Sequence, residues 1–105
     1  MNGPTYPAVE ECPIARTSAL IAKKWVMLIV RDLSESPRRF SELQNSLHVN
    51  PRTLSERLSC LEREGVIDRK AYHQVPPRVE YTLTDKGLAL LPVMEAMRAY
   101  GQAWL

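Results

Sequence analysis

The feature that most constrains the fold is a helix start at Asn50-Pro51, just after the predicted end of another short helix. Asparagine accepts hydrogen bonds from the first free backbone N–H groups of a helix, and proline suits its first position. Gly65 then supplies the residue type at which helices commonly end. Leucines recur between these signals at helical spacing, at Leu54, Leu58 and Leu61. We therefore predict an amphipathic helix over residues 50–64.

A second helix is predicted immediately before this one. Ser41 followed by Gln44 has the spacing of a capping box, so a short helix should run from Ser41 to about Leu47. The preceding segment, residues 38–40, is predicted to be extended. A short helix, a brief connection at residues 48–49 and a second helix give the spacing of a helix-turn-helix motif.

The segment after Gly65 predicts a β-hairpin. Residues 66–72 and 78–83 are strand-like, and the second run alternates apolar with polar positions as a half-buried strand does. The connection at residues 73–77 contains two prolines, which limit its conformational freedom. The hairpin, over about residues 66–83, therefore has the position and length of the wing in a winged helix-turn-helix.

The flanks of this motif are predicted to be helical. Apolar residues follow helical spacing over residues 14–34, but Lys23-Lys24 interrupts the pattern, so one helix and two helices meeting near Ala22 are equally compatible with it. Thr84 should cap a last helix over 84–105, kinked at Pro92 but not broken. With residues 1–11 as a flexible arm, residues 12–105 form one domain. The predicted fold class is mainly α with a small β-hairpin wing: a winged helix-turn-helix with additional N- and C-terminal dimerisation helices.

A DNA-binding function follows from where this fold places the basic residues. If the leucine stripe faces the core, Arg52, Thr53 and Glu56 point outward with Arg57 on the flank, and such a helix can enter the major groove. An ordinary amphipathic helix with a solvated face would look the same in isolation. Basic residues before the motif and after the wing loop favour DNA, although a net charge of +2 only permits it.

Several strings resemble the HxlR-type winged-helix regulators, relatives of the MarR group. They are Cys12-Pro13, Lys24-Trp25, Pro37-Arg38-Arg39-Phe40-Ser41-Glu42-Leu43, Leu54-Ser55-Glu56-Arg57-Leu58, Leu61-Glu62-Arg63-Glu64-Gly65 and Val75-Pro76-Pro77-Arg78-Val79-Glu80-Tyr81-Thr82-Leu83-Thr84. The resemblance runs from about Cys12 to Tyr100 and implies dimeric transcription regulators on pseudo-palindromic operators. Two positions depart from the family pattern: Ala22-Lys23 stands where a glycine is frequent, and Tyr100 where tryptophan is common, with Trp104 one turn later.

The resemblance implies that the helix over residues 50–64 is the recognition helix. The predicted DNA-binding residues come from three elements: the segment before the motif, this recognition helix and the wing. They are Arg38, Arg39, Asn50, Pro51, Arg52, Thr53, Ser55, Glu56, Arg57, Pro76, Pro77 and Arg78. We expect double-stranded DNA as the partner, bound by a homodimer that acts as a repressor. The alternative function is a winged-helix protein–protein interaction module without sequence-specific DNA binding.

Two cysteines are the candidates for sensing an effector. Cys12 lies where some redox-sensing members of this family carry a cysteine, and the start of a helix after it favours the reactive thiolate. Thiol oxidation or electrophiles are therefore candidate signals, and plain thiols the alternative. Cys60 should fill space under the wing or be partly exposed. A small apolar or aromatic ligand is a further alternative, with Trp25 and Tyr100 as wall candidates.

Other function classes find no support in the sequence. His48 and His73 are not spaced with the cysteines as a zinc set would be, so no metal or cofactor is expected. No nucleophile triad, paired carboxylates or glycine-rich phosphate loop appears, so we predict that the chain is not an enzyme. It has no visible secretory signal or apolar run of membrane-spanning length, which predicts a cytoplasmic protein. The apolar positions Leu88, Leu91, Met94 and Met97 of the last helix are predicted to form a dimer interface.

Overall fold

The computed structural model describes residues 7–105. Within these residues, after a single 3-10 turn at Val9–Glu11, the chain forms six helices and one hairpin. They are α1 (Pro13–Ile21), α2 (Val26–Glu35), α3 (Phe40–Leu47), α4 (Pro51–Arg63), β1 (Ile67–Tyr72), β2 (Arg78–Leu83), α5 (Asp85–Leu88) and α6 (Leu91–Trp104). The predicted fold class is confirmed, because a mostly helical chain carries one antiparallel hairpin after the helix-turn-helix pair. Of the predicted flexible arm, residues 1–6 lie outside the described part of the chain.

One hydrophobic core holds the central elements together. Helices α2, α3 and α4 contribute most of it, and the hairpin and the turn before α6 close it. The buried apolar residues are Val26, Met27, Ile29, Val30, Leu33, Leu43, Leu47, Val49, Leu54, Leu58, Leu61, Val66, Ile67, Tyr81 and Leu90. Neither α1 nor α6 has a buried residue. The radius of gyration is 16.1 Å, whereas a compact chain of this length would have about 13 Å. The terminal helices therefore extend away from the body.

The segment before α3 contains two helices, which settles the alternative that the sequence left open. Helix α1 ends at Ile21, and Ala22 at its C-cap has an ordinary right-handed φ of −79°. A glycine is not needed there. The left-handed residue is Trp25, with φ +80°, at the N-cap of α2. A bulky residue with positive φ is uncommon and must be held by its surroundings.

The predicted start of α3 at Ser41 is wrong by one residue, and the predicted capping is wrong as well. The helix begins at Phe40, with Arg39 as its N-cap. The carboxylate of Glu42 accepts a hydrogen bond from the backbone N–H of Arg39 at 2.9 Å, a bond that Gln44 was predicted to make with Ser41. Residues 38–40 were predicted to be extended. Arg38 pairs with a strand as an extended residue does, whereas Phe40 is the first residue of α3.

The predicted last helix is interrupted, although the sequence predicted only a kink at Pro92. Helix α5 ends at Leu88, and α6 begins at Leu91 with Pro92 in its first turn. Proline has no N–H to donate to the Leu88 carbonyl, and its ring clashes with that carbonyl in a continuous helix. The chain instead makes a tight turn, in which the Leu90 N–H donates to the Gly87 carbonyl at 3.0 Å.

The hairpin is joined to the helical body through Arg38. Its two strands pair antiparallel, with Ile67 opposite Leu83 and Tyr72 opposite Arg78. Arg38 and Tyr81 exchange backbone hydrogen bonds of 3.1 and 2.7 Å, so the segment before α3 forms a single antiparallel β-bridge to strand β2. This contact fixes the wing relative to the helix-turn-helix pair. No helix within residues 7–105 is long and apolar enough to span a membrane.

Candidate DNA interface

Helix α4 presents a polar surface at its amino-terminal turn. Asn50 caps it as predicted: its Oδ1 accepts from the backbone N–H of Arg52 at 2.8 Å and of Thr53 at 3.4 Å. The leucine stripe on the opposite side is no more than 1% exposed. Burial of that stripe turns Arg52 and Ser55 to the surface and leaves Thr53 half-buried. Gly65 ends the helix with the expected positive φ of +73°.

Arg52 is an accessible cation in the first turn of this helix. Its side chain is 89% exposed, and its Nε lies 3.4 Å from Oε1 of Glu56 one turn later. An exposed pair of this kind contributes little to stability. The guanidinium is therefore free to exchange Glu56 for an acceptor on a base edge or a phosphate.

Arg57 is oriented differently, toward the protein itself. Its Nε donates a hydrogen bond to the carbonyl of Lys24 at 2.9 Å, between helix α4 and the turn joining α1 to α2. That turn also carries the strained Trp25, over whose ring the Nζ of Lys24 lies at 5.2 Å. In the free protein Arg57 thus connects the recognition helix to the α1–α2 turn.

The two arginines before α3 also differ. The Nη2 of Arg38 lies 2.9 Å from Oε2 of Glu35, and its Nε reaches the Asp32 carbonyl at 3.4 Å. Only 28% of the Arg38 side chain is exposed. Arg39 is exposed at the N-cap of α3 and has no side-chain hydrogen bond in the described structure. Of the two, Arg39 has the more available charge.

The wing carries an exposed tip above a polar base. Val75 is fully exposed at the tip, and Pro76 and Pro77 are exposed beside it. At the base, the Nη2 of Arg78 lies 2.6 Å from Oε1 of Glu80, with 43% of the arginine side chain exposed. The wing therefore offers an apolar tip and one partly accessible guanidinium.

Two further basic residues of the wing were missed in the sequence analysis. Arg69 and Lys70 are exposed on β1, opposite Tyr81 and Glu80 respectively. The sequence shows the adjacent basic residues Arg69 and Lys70 in the first strand-like run. That every residue of β1 after Ile67 is exposed could be seen only in the structure.

The two cysteines lie in different surroundings. Cys12 is half-buried at the N-cap of α1, beside a shallow apolar hollow lined by Pro7, Val9, Ile14 and Ala15. Cys60 is also half-buried on α4, and the Nζ of Lys23 lies 3.7 Å from its Sγ. Within residues 7–105, no three His, Cys, Asp or Glu side chains are grouped so as to hold a metal ion.

Exposed apolar residues occur on the last two helices, outside the predicted DNA-binding set. The exposed large apolar residues of α6 are Met97, Tyr100 and Trp104, and Leu88 of α5 and Leu105 are exposed as well. A groove of about 450 Å³ runs between α6 and α2, and Met27, Leu28 and Met94 form part of its lining. Of the predicted interface stripe, Leu91 and Met94 pack partly against the core, whereas Leu88 and Met97 are exposed.

Comparison with known proteins agrees with this architecture. Residues 20–105 match the model of the family described as HxlR-like helix-turn-helix. A protein of Halalkalibacterium halodurans named as an HTH-type transcriptional regulator is 43% identical over 95 residues, which cover 89% of this chain and 84% of the relative.

Two solved structures are similar over most of the chain. One is described as a MarR-family transcriptional regulator from Porphyromonas gingivalis W83, with a TM-score of 0.89, 32% identity and coverage of 96% of this chain and 100% of that one. The other is the redox regulator HypR in its reduced form, with a TM-score of 0.82, 34% identity and coverage of 87% and 91%.

Proposed function

The chain belongs to the HxlR-like helix-turn-helix family of transcriptional regulators, and on this premise we propose that it is a homodimeric repressor of a pseudo-palindromic operator. The observation that carries the proposal is the exposed amino-terminal turn of α4, where Arg52 is 89% exposed. An arginine in this position can donate two hydrogen bonds to one guanine in the major groove. Wing residues 75–78 would lie along the adjacent minor groove or backbone.

The dimer part of the proposal is supported by the unpaired terminal helices. Tyr100 and Trp104 are 61% and 77% exposed, and aromatic side chains of this size are enriched at the centres of protein interfaces. A two-fold pairing of α6, aided by α1, would cover them and place two recognition helices about 34 Å apart, one turn of DNA. Light scattering at micromolar concentration should give the mass of a dimer, and Trp104→Ala should shift it toward monomer.

Selection of duplex DNA from a random pool tests the function directly. We expect the purified protein to enrich an inverted repeat whose half-sites are centred one helical turn apart. Arg52→Ala should recover a pool with blurred base preference, whereas Arg78→Ala should weaken binding on all sequences alike. Enrichment of a single unrepeated site would contradict the two-fold arrangement, and no enrichment at low salt would contradict the DNA-binding function.

Repression is favoured by how the surface is divided. The described surface offers a DNA-facing side and an apolar side that the dimer would cover, so occupancy of the operator is the simplest way to act on transcription. Selected DNA placed across a promoter should reduce transcription in a purified system when the protein is added. Unchanged or increased transcript would contradict repression.

We further propose that a thiol signal acts at Cys12. HypR, with which the chain shares its fold, is described as a redox regulator, and Cys12 lies at the start of α1, the helix that would join the dimer interface. Diamide oxidises two thiols to one disulfide, so Cys12 needs a second thiol, either the partner's Cys60 or a low-molecular-weight thiol added with the oxidant. Diamide treatment should release the selected DNA from the wild-type protein and leave Cys12→Ser bound. Cys60→Ser distinguishes the two: it should stay bound if Cys60 is the second thiol and be released like the wild type if it is not. Equal release from Cys12→Ser and the wild type would contradict a role for Cys12.

A further inference from the structure

Arg78 and Glu80 form an ion pair on one face of the wing. They are two residues apart on β2, so their side chains project from the same face of the strand. The register places Tyr72 opposite Arg78 and Lys70 opposite Glu80. A small polar hollow of about 240 Å³ lies here, lined by Tyr72, Gln74, Arg78 and Glu80. The ion pair thus forms part of the wall of this hollow, at the base of the wing.

Burial of the pair is unequal. The Glu80 side chain is 14% exposed and that of Arg78 is 43% exposed, with 2.6 Å between Nη2 and Oε1. The Nε of Arg78 is buried and has no hydrogen-bond partner within the described residues. Because a guanidinium is a rigid planar fork with five N–H donors, holding one edge inside the protein orients the donors on the other edge.

We propose that Glu80 is a positioning residue for DNA binding, whose carboxylate holds the Arg78 guanidinium with its free edge toward a DNA phosphate. This inference rests on the proposed function, since it requires the wing to lie against DNA. Without the carboxylate, the inner edge of Arg78 loses its counter-charge, and the side chain must be ordered each time DNA binds. Ordering one long side chain at an interface weakens binding by roughly threefold to tenfold.

The sign of the effect distinguishes positioning from simple charge. DNA repels a carboxylate, so a Glu80 that acted only through its charge would weaken binding, and its removal would raise the affinity. A positioning Glu80 predicts the opposite result. Glu80→Gln is the appropriate change, because glutamine keeps the size of the side chain and replaces the charge-assisted hydrogen bond to Arg78 by a weaker, neutral one.

The experiment measures affinity for a mixed-sequence duplex of about 30 base pairs, three helical turns, at low salt. We expect Glu80→Gln to weaken binding by roughly threefold to tenfold, and Arg78→Ala to weaken it by about tenfold or more. In the Arg78→Ala background, Glu80→Gln should cause no further loss, because there is no arginine left to position. Glu64→Gln is the charge control: this exposed residue at the C-cap of α4 forms no ion pair among the described residues.

Each remaining outcome overturns the inference in a distinguishable way. Tighter binding by Glu80→Gln would show that Glu80 acts only as a repelling charge. Unchanged binding by the Arg78→Ala protein would show that Arg78 makes no phosphate contact, and it would leave the proposed DNA-binding function intact. Failure of the wild-type protein to bind any duplex would refute the proposed function as well. Equal losses from Glu80→Gln in the presence and absence of Arg78 would mean a structural role.

A measurement on the unaltered protein tests the same geometry without a variant. In a nitrogen–proton NMR spectrum, the Nε–H of Arg78 should exchange slowly with water, because this nitrogen is buried. The Nε–H of Arg52, whose side chain is 89% exposed, provides the fast-exchanging reference. Equal exchange rates for the two signals would contradict a held guanidinium.

Discussion

Gly87 lies where the recognition helix, the wing and the last helices meet, and its replacement by alanine should be strongly destabilising. A Cβ at this position would collide with the carbonyl oxygen of Val66 and lie 3.0 Å from Cδ2 of Leu83. The Val66 carbonyl cannot simply withdraw, because it accepts from the backbone N–H of Thr84 at 3.1 Å, while the single hydroxyl hydrogen of Thr84 donates to the neighbouring Gly65 carbonyl. The clash therefore falls on backbone that is already fixed.

The size of the effect follows from three contributions. Overpacking costs about 1–3 kcal/mol, and straining the Thr84–Val66 backbone hydrogen bond costs about 0.5–1.5 kcal/mol. The gain from replacing glycine within a helix offsets up to about 1 kcal/mol. We expect a net loss of about 1–4 kcal/mol. At about 4–8 °C per kcal/mol for a domain of this size, Tm should fall by roughly 4–30 °C.

Circular dichroism during thermal unfolding, at one fixed protein concentration, measures this loss. The control is Ser55→Ala on the exposed side of α4, a surface position outside the core and outside the proposed dimer helices, which should change stability by no more than about 0.5 kcal/mol. A Gly87→Ala protein within about 0.5 kcal/mol of the wild type, the range of ordinary surface substitutions, would refute the close approach to Val66.

Substitutions at four further positions test other parts of the structure. Asn50→Ala removes the cap of α4 and should cost about 1 kcal/mol, measured by urea unfolding, and no loss would mean that the cap is not made. Gly65→Ala forces a side chain into a left-handed conformation, with φ +73°, and should lower stability by about 1–2 kcal/mol, whereas Gly65→Asn should lower it less. Arg57→Ala should lower stability and leave the salt dependence of DNA binding unchanged, because Arg57 holds Lys24. Arg52→Ala should leave stability unchanged and blur the base preference, and a changed salt slope in Arg57→Ala would place that residue on DNA.

The sequence was sufficient where the signals were local. Asn50, Pro51 and Gly65 act within one turn of their own helix, so the bounds of α4 could be read directly from the chain. The interruption before α6 was underestimated, because the kink expected from Pro92 assumed that the helix continued through it. The bend after α1 could not be assigned, since the left-handed conformation falls on Trp25, a residue type that does not signal it.

The arginines were the least predictable part of the candidate site. Their number and spacing indicated a basic face, but whether each one points outward depends on contacts distant in sequence. Arg57 reaches a carbonyl 33 residues away, and the backbone of Arg38 pairs with Tyr81 in the wing. A pattern along one helix contains no information about such partners. Side-chain orientation was therefore available only from the fold.

The salt dependence of DNA affinity measures how many of these arginines bind phosphates. Arg39, Arg52 and Arg78 retain accessible charge, whereas Arg38 and Arg57 are held by groups of the protein. Because Arg52 is assigned to a base edge, Arg39 and Arg78 in each subunit of a dimer would neutralise about four phosphates, which gives a slope of log affinity against log salt of about −4. Affinity should then fall roughly a hundredfold between about 50 and 200 mM salt.

A steeper slope would mean that the internal contacts give way on DNA. If Arg38 and Arg57 left their partners to bind phosphates, about eight contacts would give a slope near −7 and a loss of about 10⁴ over the same range. Breaking those contacts would detach α4 from the α1–α2 turn, so the steeper slope should be accompanied by loss of the Arg57–Lys24 hydrogen bond in the complex. A slope near −4 that is unchanged in Arg57→Ala would instead mean that Arg57 binds no phosphate, as expected if it keeps its hydrogen bond to the Lys24 carbonyl on DNA.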